Sequence, residues 1–382
     1  MSVSYGGDSI TFADGSIVSS GSQGFKNKFI NGAITVDQRT AGALAYANTG
    51  TSGFVTVDRF GYNNQSGANL TLQQSTTSGG AAAAGFTKSL KLTVTAANAS
   101  LTSGQFTRFY SGFEGLNMAD LAWGTADAKP ITLSFWVRSS VVGLHSIVIQ
   151  GYLVTTISAY AGTYTINSAD TWEYKTITIP GATTGTWATD NSQWGYMTIG
   201  HGSGSAGGLI TANTWVTGQS GYANQATGTV SVLGTVGATW YITGIQVEKG
   251  STASSFEFRS YGKELMLCQR YWEKSYDTLT APGTATTSGM AYGHHISDGA
   301  GSLVQHIVFS VPKRIAPTVT FYNANFASTT GTWRYARSGV SETSYNMVSL
   351  YPGTRAFNCY GNTSAAWTAA YQYGHWIVDA EL

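Results

Sequence analysis

From residue 25 to about residue 258, apolar and polar positions alternate in short runs. Ser89-Leu-Lys-Leu-Thr-Val-Thr sets Leu90, Leu92 and Val94 against polar neighbours, and Ile131-Thr-Leu-Ser-Phe-Trp-Val-Arg does the same with Ile131, Leu133, Phe135 and Val137. Shorter runs occur at Gln105 to Tyr110, Ser146 to Ile149, Tyr174 to Ile179 and Trp240 to Glu248. A period of two marks strands with one face on a core and the other toward solvent. So many strands in one stretch predict a two-sheet sandwich of the jelly-roll kind over residues 25–258.

The period then changes. Ser260 can cap a helix that begins at Tyr261, with Leu265, Cys268 and Trp272 recurring at helical spacing and Lys263, Glu264 and Lys274 placed on the wet side. Residues 259–275 read as a helical joint. Strand patterns return over 276–382, at Gly289 to His294, Ser302 to Val311, Thr318 to Tyr322, Trp333 to Tyr335, Met347 to Tyr351 and Trp376 to Leu382, with Pro312 and Pro317 bracketing an irregular step. They predict a smaller C-terminal β-sandwich. At the other end, residues 1–24 hold one orderly element, in which Ile10, Phe12, Ile17 and Val18 flank an Asp14-Gly15 turn. Such a hairpin is marginal alone. It reads as an attachment segment that packs on a partner, or as a frayed tail.

Composition agrees with an all-β chain and narrows its function. Of 382 residues only 10% are charged, with 20 Lys and Arg against 19 Asp and Glu. A net charge of +1 speaks against a basic nucleic-acid groove and against an acidic tail. Aromatic residues make up 13%, enough to bury a core and to argue against disorder. No apolar run is long enough for a membrane-spanning helix, and the start, Met1-Ser-Val-Ser-Tyr-Gly-Gly, lacks the features of a signal peptide. Cys268 and Cys359 sit in unrelated contexts and read as small apolar core residues.

Four stretches carry a resemblance. They are Phe25-Lys-Asn-Lys-Phe-Ile-Asn-Gly-Ala-Ile-Thr-Val-Asp-Gln-Arg with Val57-Asp-Arg-Phe; Glu114-Gly-Leu-Asn-Met-Ala-Asp-Leu-Ala-Trp-Gly with Pro130-Ile-Thr-Leu-Ser-Phe-Trp-Val-Arg; Trp240-Tyr-Ile-Thr-Gly-Ile-Gln-Val-Glu-Lys-Gly with Phe256-Glu-Phe-Arg-Ser-Tyr-Gly-Lys-Glu-Leu; and Arg314-Ile-Ala-Pro-Thr-Val-Thr with the closing Asp379-Ala-Glu-Leu. In this order the chain resembles tail-fibre and receptor-binding proteins of tailed bacteriophages and prophages. Ile10-Thr-Phe-Ala-Asp-Gly-Ser is similar to a short repeat near the N-termini of phage fibres. The resemblance implies a structural subunit of the virion, made in the bacterial host cytoplasm, with a jelly roll like a carbohydrate-binding module. It further implies a homotrimer held to other tail or capsid proteins through Ile10, Phe12, Asp14 and Gly15, with host surface polysaccharide or lipopolysaccharide as partner.

A surface rich in hydroxyls, amides and flat aromatic faces suits sugars. The candidates gather in a Gly/Ser/Thr-rich stretch read as loops: Trp187, Asp190, Asn191, Gln193, Trp194, Tyr196, His201, Trp215 and Tyr222. The alternative is that the tryptophans fill the sandwich core or a subunit contact. A second set lies C-terminally at His294, His295, Trp333, Arg334, Tyr335, Arg337 and Tyr345. Adjacent strand residues face opposite ways, which argues against His294 and His295 as a metal pair. No cofactor and no metal is expected, although Asp37, Asp58 and Glu248 offer oxygen ligands for calcium at jelly-roll edges. Gly202-Ser-Gly-Ser-Ala-Gly207 has glycines at the spacing of a dinucleotide fingerprint but no helix after it, so it reads as a loop. The acids Glu114, Asp120, Asp127, Asp170, Glu173 and Asp190 show neither a repeating coil pattern nor a nucleophile elbow beside them. Adhesion without catalysis is the first reading. A purely structural virion component is the second, and a glycan depolymerase the third.

Overall fold

A computed structural model of the chain describes residues 4–6, 9–11, 17–19, 25–151, 157–219, 221–295, 302–337, 340–362 and 370–382. The alternating runs fold as expected into a jelly-roll sandwich. The first sheet has six strands in the order Glu173–Ile179, Ile131–Ser139, Thr239–Lys249, Lys88–Ala96, Asn69–Thr76 and Ala45–Ala47. The second has seven, in the order Trp215–Gln219, Ile157–Ile166, Gly143–Gly151, Gln193–Ser203, Phe106–Glu114, Gly61–Asn64 and Ser52–Gly53. Leu90, Leu92 and Val94 join Ile131, Leu133, Phe135 and Val137 in a shared core, closed from the second sheet by Phe109, Ile147, Ile149 and Ile199. Each is buried, as the alternation requires.

The helix covers Tyr261–Gln269. Ser260 occupies the cap position but makes no capping side-chain bond; only its carbonyl takes the Glu264 amide. Two residues expected on the wet side are buried. The Glu264 carboxylate accepts the Asn31 amide and faces Arg259, while the Lys274 ammonium donates to the carbonyls of Gln38, Thr278 and Thr280 at 2.7, 3.0 and 2.7 Å. Helical periodicity cannot show that Glu264, on the polar side of this short helix, meets the backbone of a distant loop, and Lys274 lies beyond the helix on the short strand Trp272–Lys274. Cys268 packs among Ile30, Val36 and Tyr271, Cys359 in the C-terminal core, and both are free thiols.

The C-terminal β-sandwich is organised by Ala370–Asp379, which pairs with Trp272–Lys274, Ala291–His295, Thr318–Tyr322 and Thr332–Arg337. Val340–Leu350, Ala356–Asn362 and Ser302–Val308 extend the sheet around a core of Phe309, Phe321, Trp333, Phe357 and Trp376. Near the N-terminus, Ile10 stands opposite Val18 in an antiparallel pair of Ser9–Thr11 with Ile17–Ser19, and Ser4–Gly6 adds a third strand. Phe12, Asp14 and Gly15 lie outside the described residues.

The last residues of the chain return to the jelly roll. The Glu381 carboxylate is held by Arg59 and, at 2.8 Å, by Arg39, and all three side chains are almost fully buried. Arg59 also donates to the Gly112 carbonyl at 2.7 Å and lies 3.6 Å over the Tyr271 ring. The Tyr271 hydroxyl donates to Glu114 at 2.7 Å, and Arg270 donates to the same carboxylate through Nε at 2.9 Å. Breaking a buried pair leaves a charge without compensation, which costs about 3–5 kcal/mol. Glu381→Gln is therefore expected to lower the unfolding free energy by that amount, measured in urea by tryptophan fluorescence; an unchanged midpoint would show that the two units hold together without this pair.

Candidate functional site

The stretch read as loops between Trp187 and Tyr222 contains a central strand, Gln193–Ser203. Its three glycines hide the period of two, and register shifts at Gln193/Gly195 and Gly200/Gly202 break it further. This strand divides the candidates between two faces. Trp194 turns inward and meets Trp187 at 4.4 Å and Trp123 at 4.7 Å between ring centres. Trp187 donates to the Thr184 carbonyl at 3.1 Å. Half-buried Trp215 meets Trp123 edge-on and donates to the Pro180 carbonyl at 3.0 Å. Trp187 and Trp194 are thus core residues rather than sugar platforms, because their indoles complete the hydrophobic cluster between the sheets.

His201 is also in the core. It packs against Phe109 and Trp240 at 5.1 and 4.7 Å, and neither ring nitrogen has a hydrogen-bond partner among the described residues. Burial pushes its pKa down to about 3, with His145 adding to the effect. Asp190 is exposed and accepts the Ser192 amide at 2.9 Å, which lowers its pKa. Asn191 belongs to the junction between the units, exchanging bonds of 3.0 Å in each direction with Arg314.

Tyr196 and Tyr222 face outward and come together. Tyr196 meets Tyr110 at 5.7 Å and Tyr222 at 5.8 Å, both edge-on, and Phe54 continues the strip at 5.7 Å from Tyr110. Tyr222 is 40% exposed. Beneath the strip lies Arg108, its guanidinium 4.2 Å from the Tyr222 ring and 5.5 Å from Tyr110. Burial lowers the Arg108 pKa and the tyrosines oppose that, while its Nη1 donates to Asn224 at 2.8 Å. Arg108 orients the rings by cation–π attraction. Sequence reasoning missed Arg108, Tyr110 and Phe54. The signal was the alternation Phe106, Arg108, Tyr110, which puts all three on the polar side of their strand.

The segment carrying Tyr222 is fixed by Gln150, which accepts the Ala223 amide and donates to its carbonyl, both at 2.9 Å. The glycine run 202–207 serves close backbone approach, since a Cβ on Gly204 would stand 1.9 Å from the Thr102 carbonyl oxygen. The run leads into the short strand Leu209–Ile210, paired with Gln225–Ala226.

The C-terminal candidates divide similarly. Trp333 is fully buried and donates to the His375 carbonyl at 2.8 Å; Tyr345 is buried and donates to Gln372. Tyr335 is half-buried against Tyr345, and Arg334 is buried with Phe326 over its guanidinium. The side chains of His294, His295 and Arg337 lie outside the described residues.

Most of the candidate acids are engaged locally. Besides Glu114, Asp120 pairs with Lys28 at 2.6 Å and Asp170 with Arg138 at 3.2 Å. Burial raises the Glu173 pKa, but bonds from Lys175, the Ser168 amide and Asn167 outweigh it and bring the carboxyl down to about 2. Asp37 accepts from Thr40 and Gly42, Asp58 from Gln38, and Glu248 from Gln246 and Ser254.

No protein-family model matches the chain, and no curated protein matches it in sequence. Solved structures with partial likeness include the enzymatically active domain of bacteriophage CBA120 tailspike protein 4, 12% identical over 59% of this chain, with a TM-score of 0.27. The chain spans only 22% of that structure's length. A family 11 carbohydrate-binding module from Clostridium thermocellum, in complex with a mixed-linked tetrasaccharide, is 11% identical over 58% of this chain and 99% of its own, at 0.26. A family 30 carbohydrate-binding module is 11% identical over 60% and 95%, at 0.25. TM-scores this low carry no argument about function.

Two outcomes are expected. Trp194→Ala opens the core and should cost about 3–5 kcal/mol in urea denaturation, whereas Tyr222→Ala should change stability by less than about 1 kcal/mol; the reverse order would invert the assignment of faces. Between pH 6.5 and 3 the unfolded chain protonates at His201 and the folded chain does not, so stability falls with pH over that window. At pH 5 the loss is about 2 kcal/mol relative to pH 8. His201→Leu should remove that part of the slope, seen by comparing midpoints at the two pH values.

Proposed function

We propose that the protein is an adhesive subunit of a bacteriophage tail fibre or similar virion appendage, assembled as a homotrimer, that binds host surface polysaccharide or lipopolysaccharide. The observation that carries this reading is the outward strip of Phe54, Tyr110, Tyr196 and Tyr222, ordered from below by Arg108. Flat rings suit the C–H faces of sugars, and tyrosine hydroxyls bond their hydroxyl groups. The phage assignment rests on the sequence motifs, with residues 1–24 as the part that meets other virion proteins. Weak single sites gain strength when three copies act together. A non-catalytic role is supported by the carboxylates, since Glu114, Asp120, Asp170 and Glu173 are each bonded to a cation and Glu173 is pulled down rather than up, the opposite of what a proton donor needs.

The test is saturable binding of labelled protein to arrays of bacterial capsular polysaccharides and lipopolysaccharides. Wild type should bind at least one array member, and the double variant Tyr196→Ala/Tyr222→Ala should bind it at least tenfold more weakly with an unchanged sedimentation coefficient. Wild-type trimer that binds none of them would favour a connector or capsid-fibre role.

A further inference from the structure

The outer face of the first sheet, on the opposite side of the sandwich from the tyrosine strip, carries a cleft of about 430 Å³. One wall is Trp136 and Tyr174, neighbours on adjacent strands with ring centres 5.6 Å apart. The other is Phe256 and Phe258, which meet each other at 4.9 Å and both rest on buried Phe86 at 4.9 and 5.1 Å. Buried Ser134 and exposed Ser255 also line the cleft. Tyr174 is 46% exposed and Phe258 58%.

These rings are exposed on a fixed frame. The strap bearing Phe256 and Phe258 is tied to the sheet by Glu248, which accepts the Ser254 amide at 2.9 Å, and by Gln246, which accepts the Glu257 amide at 2.8 Å. Lys26 donates to the Ser255 carbonyl at 2.6 Å, and Glu257 accepts the Asn27 amide at 2.6 Å. The sheet has made room for the wall as well. Gly244 sits at φ +63°, and a Cβ there would come within 2.6 Å of the Phe86 ring. Exposed aromatic rings held rigidly lose little entropy when a ligand covers them.

We propose that this cleft is a second, independent sugar site, one that takes a neutral saccharide between the Trp136/Tyr174 wall and Phe258. Among the described residues no charged side chain lines the cleft, so an acidic or basic partner finds no counter-charge there. An aliphatic ligand would leave the serine and tyrosine hydroxyls unpaired, whereas a pyranose offers C–H faces to the rings and hydroxyls to Ser134, Ser255 and Tyr174. The volume falls within the range of about 300–1,000 Å³ for small-molecule sites. The proposal extends the adhesive reading but does not depend on the tyrosine strip, and together the two would give each subunit contacts on opposite faces.

The experiment titrates full-length protein with cellotetraose, maltotetraose, mannotetraose and chitotetraose by calorimetry, up to about 10 mM. The cleft variants are Phe258→Ser and Tyr174→Ala, both at exposed positions, and the strip variant is Tyr196→Ala/Tyr222→Ala. At least one tetrasaccharide should bind wild type and the strip variant alike, and bind each cleft variant at least tenfold more weakly. Binding lost only in the strip variant overturns the cleft and leaves the strip as the glycan contact. Binding of no tetrasaccharide overturns the cleft, whatever the strip does on polysaccharide arrays. A smaller sedimenting species for Phe258→Ser than for wild type overturns it too, since the cleft would then be a contact between copies of this chain.

Discussion

The buried ion pair between Glu381 and the two arginines Arg39 and Arg59 is the constraint on which the arrangement of the molecule depends. It joins the end of the chain to two loops of the jelly roll. Around it, Arg314 donates to the carbonyls of Ala380 and Glu381 at 3.1 and 2.9 Å, and the Ala380 amide donates to the Tyr271 carbonyl at 2.7 Å. A sheet edge or a hydrophobic contact would tolerate sliding. Charges removed from water do not, because every displacement leaves one of them without its partner.

A chain with so few charges spends many of them inside. Lys28, Asp58, Arg59, Arg108, Glu114, Glu264, Glu273, Lys274 and Lys313 are all buried. The cost shows in their proton affinities: burial pushes Asp58 up to about 6 and Lys274 down to about 8 despite the opposite charges nearby. Lys313 is satisfied by Glu273 together with the carbonyls of Gln269 and Val311. The cleft on the first sheet is left with hydroxyls and aromatic rings in its lining. A lining of that kind can meet neutral ligands without first stripping water from ions.

The same geometry fixes which aromatic residues reach solvent. Trp194 and Tyr196 are two positions apart on one strand, and strict alternation would put them on one face. The register shift between Gln193 and Gly195 lets Trp194 turn into the core while Tyr196 stays outside. A bulge of this kind re-aims a side chain at small cost.

Much of the architecture was legible because a period of two is a local property. The runs around Leu90, Leu92, Val94 and around Ile131, Leu133, Phe135, Val137 marked their strands, and the change to helical spacing marked Tyr261–Gln269. What the sequence determined by itself is therefore the all-β class and the inward positions of regular strands. Three things were left to the tertiary structure. The glycine-broken strand Gln193–Ser203 becomes a strand only between its neighbours, which supply its hydrogen bonds. Glu264 and Lys274 become buried only because a distant loop brings the Asn31 amide and the Gln38 carbonyl to them. The aromatic strip and the cleft each combine side chains far apart in the chain, Arg108 with Tyr222 and Phe86 with Phe258, and no local pattern encodes which distant residues a fold will bring into contact.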